Sequence, residues 1–291
     1  MKGEICPRRC GAERTKEQGG GWCGQPLEPV VARAMLHRWE EPCLVGEHGA
    51  GTVFFTGCNL RCCFCQNGSI SAGGVGKRVS AERLRQIFRE LKAQGAACLD
   101  LVTPTHFAPA ILEALGEEDW GLPVVWNCGG YERVETLRQL EGKVQVYLPD
   151  FKYATGEKGK KYSAAEDYFE AATAAILEMY RQTGPYRMEG GQLKRGVLIR
   201  HLLLPGELEN TRRCIDWVAA HFGPGEVLFS LMSQYTPWGD LSHHPELNRR
   251  LRKGEISSAT EYMQNLDLPG FCQERTSAKE EYTPPFDLTG L

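Results

Sequence analysis

Between Gly51 and Pro237, short runs of Val, Leu, Ile and Phe alternate with longer stretches in which apolar residues recur every three or four positions. The short runs read as strands and the longer ones as amphipathic helices. Strands are expected near Thr52–Thr56, Cys98–Thr103, Pro123–Asn127, Val144–Pro149, Gly196–Leu204 and Val227–Met232. Helices are expected over Ala81–Gln94, Ala108–Leu115, Glu132–Leu140, Ser163–Thr183 and Thr211–His221. Ser80 stands where an N-cap belongs, and Gly95 where a helix commonly stops.

Strands that alternate with helices of this length form parallel βαβ units with right-handed crossovers. The strands are apolar on both faces, as buried parallel strands are. The expected fold class is α/β: a full or partial TIM-like (β/α)6 barrel, with an open doubly wound sheet as the structural alternative. Either way, chemistry belongs at the C-terminal strand ends. Before Gly51 the text differs. It is rich in Gly, Cys, Arg and Glu, with a short helix expected from Pro29 to Trp39. Three regions follow: a Cys-rich N-terminal extension (1–45), a barrel domain (46–270) and a C-terminal tail (271–291). The tail, polar from Gln273 and holding Pro284-Pro285, is expected to be a loose surface segment.

Hydrophobic residues make up 42% of the 291 positions and charged residues 24%, the balance of an ordinary globular protein. A net charge of -3 supplies no basic field for nucleic acid or an anionic membrane, so neither is an expected partner. No apolar run approaches a membrane span, and Met1–Arg9 has no secretory apolar stretch, so a cytoplasmic location is expected.

Twelve cysteines change the picture. In a long chain of a reducing compartment, clustered cysteines bind metal more often than they pair. Cys58, Cys62 and Cys65 follow the first expected barrel strand and place three thiolates on one loop. Soft thiolates suit an iron–sulfur cluster, and three ligands leave one iron open, as a catalytic cluster needs. Cys63 fits no ligand spacing and reads as a small core residue or a neighbour of the ligands.

Cys58-x3-Cys62-x-Phe64-Cys65 resembles the signature of the radical S-adenosylmethionine (SAM) superfamily. The stretch from about Glu41 to Pro237 is similar to the uncharacterised relatives of the pyruvate formate-lyase activating enzyme, the PflX-like group. The phrases that carry this are Gly51-Thr52-Val53-Phe54-Phe55, Leu101-Val102-Thr103-Pro104-Thr105-His106-Phe107, Tyr147-Leu148-Pro149-Asp150-Phe151-Lys152-Tyr153 and Arg200-His201-Leu202-Leu203-Leu204-Pro205-Gly206. The resemblance implies that Cys58, Cys62 and Cys65 ligate a [4Fe–4S] cluster and that SAM chelates the fourth iron. Phe64 then packs against the adenine. It further implies an external one-electron donor such as flavodoxin or ferredoxin, and reductive cleavage of SAM to a 5′-deoxyadenosyl radical. That radical takes hydrogen from an unknown substrate, a glycyl radical enzyme or other peptide, or a small molecule.

The remaining candidates lie at strand ends. A Gly-Gly-Glu stretch that binds the SAM amino group in many superfamily members is replaced by Thr103-Pro104-Thr105, so Thr103 and Thr105 are its candidate substitutes. His106 is the candidate proton-transfer or hydrogen-bonding group, against a plain capping role. Asn127 offers both donor and acceptor to a ribose or carboxylate, and Gly129-Gly130 would let backbone approach a ligand closely; an ordinary Gly-rich turn is the alternative. Asp150 and Lys152, two apart, share a strand face, and by resemblance bind the SAM ribose and carboxylate; a plain ion pair is the alternative. Arg200 inside an apolar strand needs an anion, by resemblance the SAM carboxylate. His201 points the other way. Gln234 and Tyr235 are weaker candidates for the substrate side.

At the front, Cys6-x3-Cys10-x12-Cys23 offers a second metal site, with Cys43 as a fourth ligand; structural thiols are the equal alternative. Gly3 stands where such relatives carry a further cysteine. Two other functional classes remain open: a non-catalytic iron–sulfur electron carrier, which would want a fourth cysteine at ferredoxin spacing, and a zinc-binding interaction module.

Overall fold

Six parallel strands lie side by side in chain order in the computed structural model, which describes residues 4–272 and 284–291. They are β2 (Ala50–Phe55), β4 (Leu99–Val102), β5 (Val124–Cys128), β6 (Val146–Pro149), β8 (Gln192–Leu202) and β9 (Leu228–Met232). A doubly wound sheet would reverse strand order at a switch point. Here the order never reverses, so the arrangement is a partial (β/α)6 barrel, and its sheet is not closed. On the β2 side, β1 (Val30–His37) is antiparallel and carries β3 (Lys77–Arg78) beyond it. On the other side β10 (Gly270–Cys272) continues the parallel set, and β7 (Arg187–Glu189) makes a hairpin with β8.

The main helices lie on one face: α3 (Ala81–Ala93), α4 (Ala108–Leu115), α5 (Val134–Gln139), α6 (Gly156–Ser163), α7 (Tyr168–Thr183), α8 (Leu208–His221) and α9 (Lys253–Asn265). Short helices Pro42–Val45 and Gly68–Ser71 sit in connections. Ser80 caps α3 by accepting from the Arg83 amide at 3.1 Å.

Alternation along the strands separates two cores. Trp126, Tyr147, Ile199 and Phe229 pack with Ile87, Phe88, Ile111, Ile176 and Val218 of the helices. Val125, Val146, Leu148, Leu198 and Leu228 form a second, inner cluster with Cys43, Leu44 and Cys98. The same alternation continues upward as a polar inner layer of Thr52, Asp100, Asn127, Asp150, Arg200 and Ser230. Glu40 and Glu41, between β1 and Pro42, bond to this layer: Glu40 reaches Arg200 and Asn127, and Ser230 donates to Glu41.

Three expectations are corrected. Pro29–Trp39 does not form a helix; Val30–His37 is β1, because β2 offers it a ladder from Val31↔Phe55 to His37↔Ala50. The helix expected over Ser163–Thr183 starts only at Tyr168; Ser163 instead ends a separate helix, Gly156–Ser163, which stops at Ala164 with φ 52. The expected loose tail lies at 273–283 outside the described residues, but 284–291 is anchored. Ala34 N donates to Thr289 O at 3.0 Å, Leu288 N to Ala32 O at 3.1 Å, and Phe286 meets Phe54 edge-on.

Candidate functional site

The loop after β2 turns at Gly57, whose φ of +85 suits glycine and whose Cβ would stand 2.4 Å from the Gln25 side chain. Cys58, Cys62 and Cys65 then line one cavity of about 230 Å3 together with Phe64. Each sulfur has a polar neighbour suited to a thiolate. Leu60 N donates to Cys58 Sγ at 3.3 Å, Ser163 Oγ to Cys62 Sγ at 3.0 Å, and Ser71 Oγ lies 3.3 Å from Cys65 Sγ. Burial raises the Cys58 and Cys62 thiols above their ordinary range, while the Lys152 ammonium acts in the opposite sense on both. Bound iron would outweigh that burial cost, because a coordinated thiol ionises outright. Cys63 is not in the cavity wall. Its amide donates to Tyr162 O at 2.9 Å, and burial pushes its thiol up to about 11.

The opposite wall is the polar inner layer. Thr103, Asn127, Asp150, Lys152 and Arg200 all line the same cavity, as do Gln234 and Tyr235. Lys152 Nζ meets Asp150 Oδ2 at 2.6 Å, the shared face expected of residues two apart. Each guanidinium nitrogen of Arg200 has a partner: Nε donates to Asp150 Oδ1 at 2.9 Å, Nη1 to Glu40 Oε1 at 3.1 Å and Nη2 to Asn127 Oδ1 at 2.6 Å. Burial works against the charges of Asp150, Lys152 and Arg200, yet their mutual attraction wins. The carboxyl is held below its usual range and both cations above theirs. Asp100, buried below them and bonded to Thr52 Oγ1 at 3.1 Å, is raised well above its usual range by burial and then by Glu40. Thr103 sits at φ 59, an uncommon conformation for a residue with a Cβ, and its amide donates to Asn127 O at 2.8 Å.

Glu40 and Tyr168 are site residues that the sequence pattern did not single out. Tyr168 OH donates to Asp150 O at 2.7 Å or Gly129 O at 2.9 Å and accepts from Lys152 N at 3.0 Å, tying the ends of β5 and β6 together. Gly130 is needed for that junction, because with φ +76 its Cβ would lie 2.0 Å from Asp150 O. The close backbone approach at Gly130 is therefore to the end of the neighbouring strand rather than to a ligand.

His106 is not part of this cavity. It is buried, with Nε2 2.7 Å from the Thr56 carbonyl, which can only accept, so that nitrogen carries the proton. Nδ1 is buried with no hydrogen-bond partner. Thr105 bonds Glu132 at 2.5 Å, and His201 points to the helix side, between Phe151 O and Thr211 Oγ1. Cys6, Cys10 and Cys23 line a second, much smaller cavity of about 20 Å3, with His106. Cys43 does not join them. It belongs to the inner apolar cluster beside Leu44 and Cys98, because its short helix closes the bottom of the barrel. None of the twelve cysteines is in a disulfide. Among the described residues no set of three or more His, Cys, Asp or Glu side chains is preassembled as a metal centre, so either set would have to close on its metal. Among those residues, too, no helix is long and apolar enough to cross a membrane.

No protein-family model matches the chain. The uncharacterized protein MJ0674 of Methanocaldococcus jannaschii is 32% identical over 276 residues, covering 91% of this chain and 75% of that one. Among solved structures, Streptococcus suis SuiB bound to precursor peptide SuiA aligns with a TM-score of 0.49 at 12% identity, covering 75% of this chain and 47% of SuiB. SuiB bound to S-adenosylmethionine gives 0.48 at 12% identity, over 78% of this chain and 48% of that one. The FeFe-hydrogenase maturase HydG from Carboxydothermus hydrogenoformans gives 0.41 at 13% identity, over 74% and 56%. The chain spans about half the length of these structural matches.

Proposed function

The chain belongs to the same protein family as that Methanocaldococcus jannaschii protein, and we propose that it is a radical SAM enzyme. The observation that carries this is the meeting, in one cavity, of three loop thiols with a layer of paired charges at the strand ends. A fourth cysteine, Cys128, also lines the cavity, but it is a strand residue buried in the helix-side core rather than a member of the loop. Three ligands and an adjoining polar chamber suit a cluster with one open iron.

When bound, the [4Fe–4S] cluster supplies one electron to the SAM sulfonium, which yields methionine and a 5′-deoxyadenosyl radical. The chain's residues bind and orient. Cys58, Cys62 and Cys65 hold the cluster. Phe64, seated edge-on to Tyr235 at 6.0 Å, offers an apolar face to the adenine. Lys152 presents the cation for the SAM carboxylate. Asp150 and Asn127 present acceptors for its ribose or ammonium group, and Thr103 presents a hydroxyl. Arg200, with a partner on each guanidinium nitrogen, holds Asp150, Asn127 and Glu40 in place.

The subtype similar to the formate-lyase activating enzyme is part of the proposal. So are hydrogen abstraction from an external peptide or small molecule, a flavodoxin- or ferredoxin-like electron donor and a cytoplasmic setting. In this reading 46–270 is the catalytic unit, with β1 completing its sheet. A non-catalytic electron carrier would have no use for a chamber lined by Asp150, Lys152 and Asn127. Electron paramagnetic resonance of the reduced, anaerobically reconstituted protein tests the reading. SAM is expected to change the cluster signal; a reduced cluster whose signal is indifferent to saturating SAM would overturn it.

A further inference from the structure

The front segment up to Pro29 has little regular structure of its own, yet it is held firmly against the barrel. The Arg8 guanidinium lies 3.9 Å from the Trp22 ring centre and donates to Asn59 O at 2.8 Å. Arg61 donates to Trp22 O at 2.6 Å, and both terminal nitrogens of Arg14 reach His106 O at 3.0 Å. So short a segment cannot bury a core of its own, and such segments commonly rely on a staple. Cys6, Cys10 and Cys23 converge on the small cavity with His106.

Two observations decide what fits there. The cavity, about 20 Å3, holds about one water-sized body, room for a single ion rather than a larger group. His106, 2% exposed, donates from Nε2 to the Thr56 carbonyl and keeps an unpartnered lone pair on Nδ1. A ring nitrogen anchored on a backbone carbonyl with the other left bare is the arrangement of a metal-bound histidine.

We propose that Cys6, Cys10, Cys23 and Nδ1 of His106 form a closed tetrahedral site for one zinc ion, separate from the cluster cavity. Three sulfurs and one imidazole nitrogen are a common structural zinc set, and Cys6-x3-Cys10 lies within its usual loop spacing. Binding forms three Zn–S bonds and one Zn–N bond, and releases the three thiol protons to solvent. Zn2+ with three thiolates carries one net negative charge, and the Arg14 guanidinium interacts favourably with all three sulfurs when they are ionised. Thr56 and Asn59 bracket Gly57-Cys58, so the ion would pin the front segment against the base of the cluster loop. The site does not depend on the cluster reading.

The test uses the full chain with Cys58→Ala, Cys62→Ala and Cys65→Ala, which removes the proposed cluster ligands. Purified with zinc and desalted, this variant is expected to retain one zinc per chain and no sulfide. Adding His106→Asn or Cys23→Ser is expected to weaken zinc binding at least about tenfold in chelator competition, whereas Cys43→Ser leaves it unchanged. A folded triple variant with no zinc, or one whose affinity is indifferent to His106→Asn, would overturn the proposal. So would iron and sulfide retained there. Should His106→Asn fail to fold, zinc-edge X-ray absorption of the otherwise unaltered chain decides. Three sulfur and one nitrogen neighbours uphold the site; four sulfurs refute it.

Discussion

Replacing Arg200 by Met separates the structural part of the site from the binding part. The side chain, 14% exposed, is bonded to Asp150, Glu40 and Asn127. Its loss leaves two carboxylates that are 16% and 12% exposed without their main cation. Breaking a buried pair in this way costs about 3–5 kcal/mol. The lower part of that range applies, because Asp150 keeps Lys152 at 2.6 Å and Glu40 keeps the Asn127 amide at 3.0 Å. With an unfolding entropy of about 2.1 cal/mol/K per residue, a chain of this size loses about 1.6 °C of Tm per kcal/mol, so Arg200→Met, at about 3–4 kcal/mol, should melt about 5–6 °C lower. Calorimetry checks this, and Asp150→Asn in the Arg200→Met background checks the cause. With its cation gone, the second change should cost less than it does alone, by about 1–3 kcal/mol of coupling. A shift under about 1 °C, or strict additivity of the two changes, would refute the network as drawn.

Lys152→Ala should leave the cluster in place and weaken SAM binding about ten- to a hundred-fold, the loss of one charged hydrogen bond, read by titrating SAM into the reconstituted protein. Cys58→Ala, Cys62→Ala and Cys65→Ala should each lose the cluster absorbance and Cys63→Ala keep it; the reverse pattern for Cys62 and Cys63 would sink the ligand assignment. Glu41, 2% exposed, has its carboxyl raised from 4.5 to about 7 by burial and then by the charge of Glu40. The folded chain therefore holds a proton that the unfolded chain releases. Its contribution to stability is whole below about 4.5 and lost as pH rises towards about 7. Urea melts should show Glu41→Gln losing less stability than the parent between those limits; parallel pH profiles would contradict this.

Much of the barrel was readable because its strands are local signals: buried runs such as Val146–Pro149 and Leu228–Met232, punctuated by capped helices such as Ala81–Ala93. β1 was not, because Ala32, Ala34, Met35 and Leu36 suit a helix as well as a strand, and only the β2 edge decides between them. The cavity wall was legible where chemistry and strand position coincide, at Cys58, Cys62, Cys65, Asp150, Lys152 and Asn127. Glu40 was not, since it lies 160 positions from Arg200 and nothing local marks a carboxylate that will bridge a barrel. His106 was noticed as a chemically able residue, but its place beside the front cysteines is a long-range fact set by Thr56 and Arg14.

Chemical analysis of SAM turnover decides whether the chain is a radical SAM enzyme. The chain, reconstituted anaerobically with iron and sulfide and reduced by dithionite, is incubated with SAM, and the nucleoside product is separated and weighed by mass spectrometry. The expected products are 5′-deoxyadenosine and methionine in equal amounts, absent when Cys58, Cys62 and Cys65 are replaced. A fully loaded, reduced cluster that leaves SAM intact would contradict that assignment.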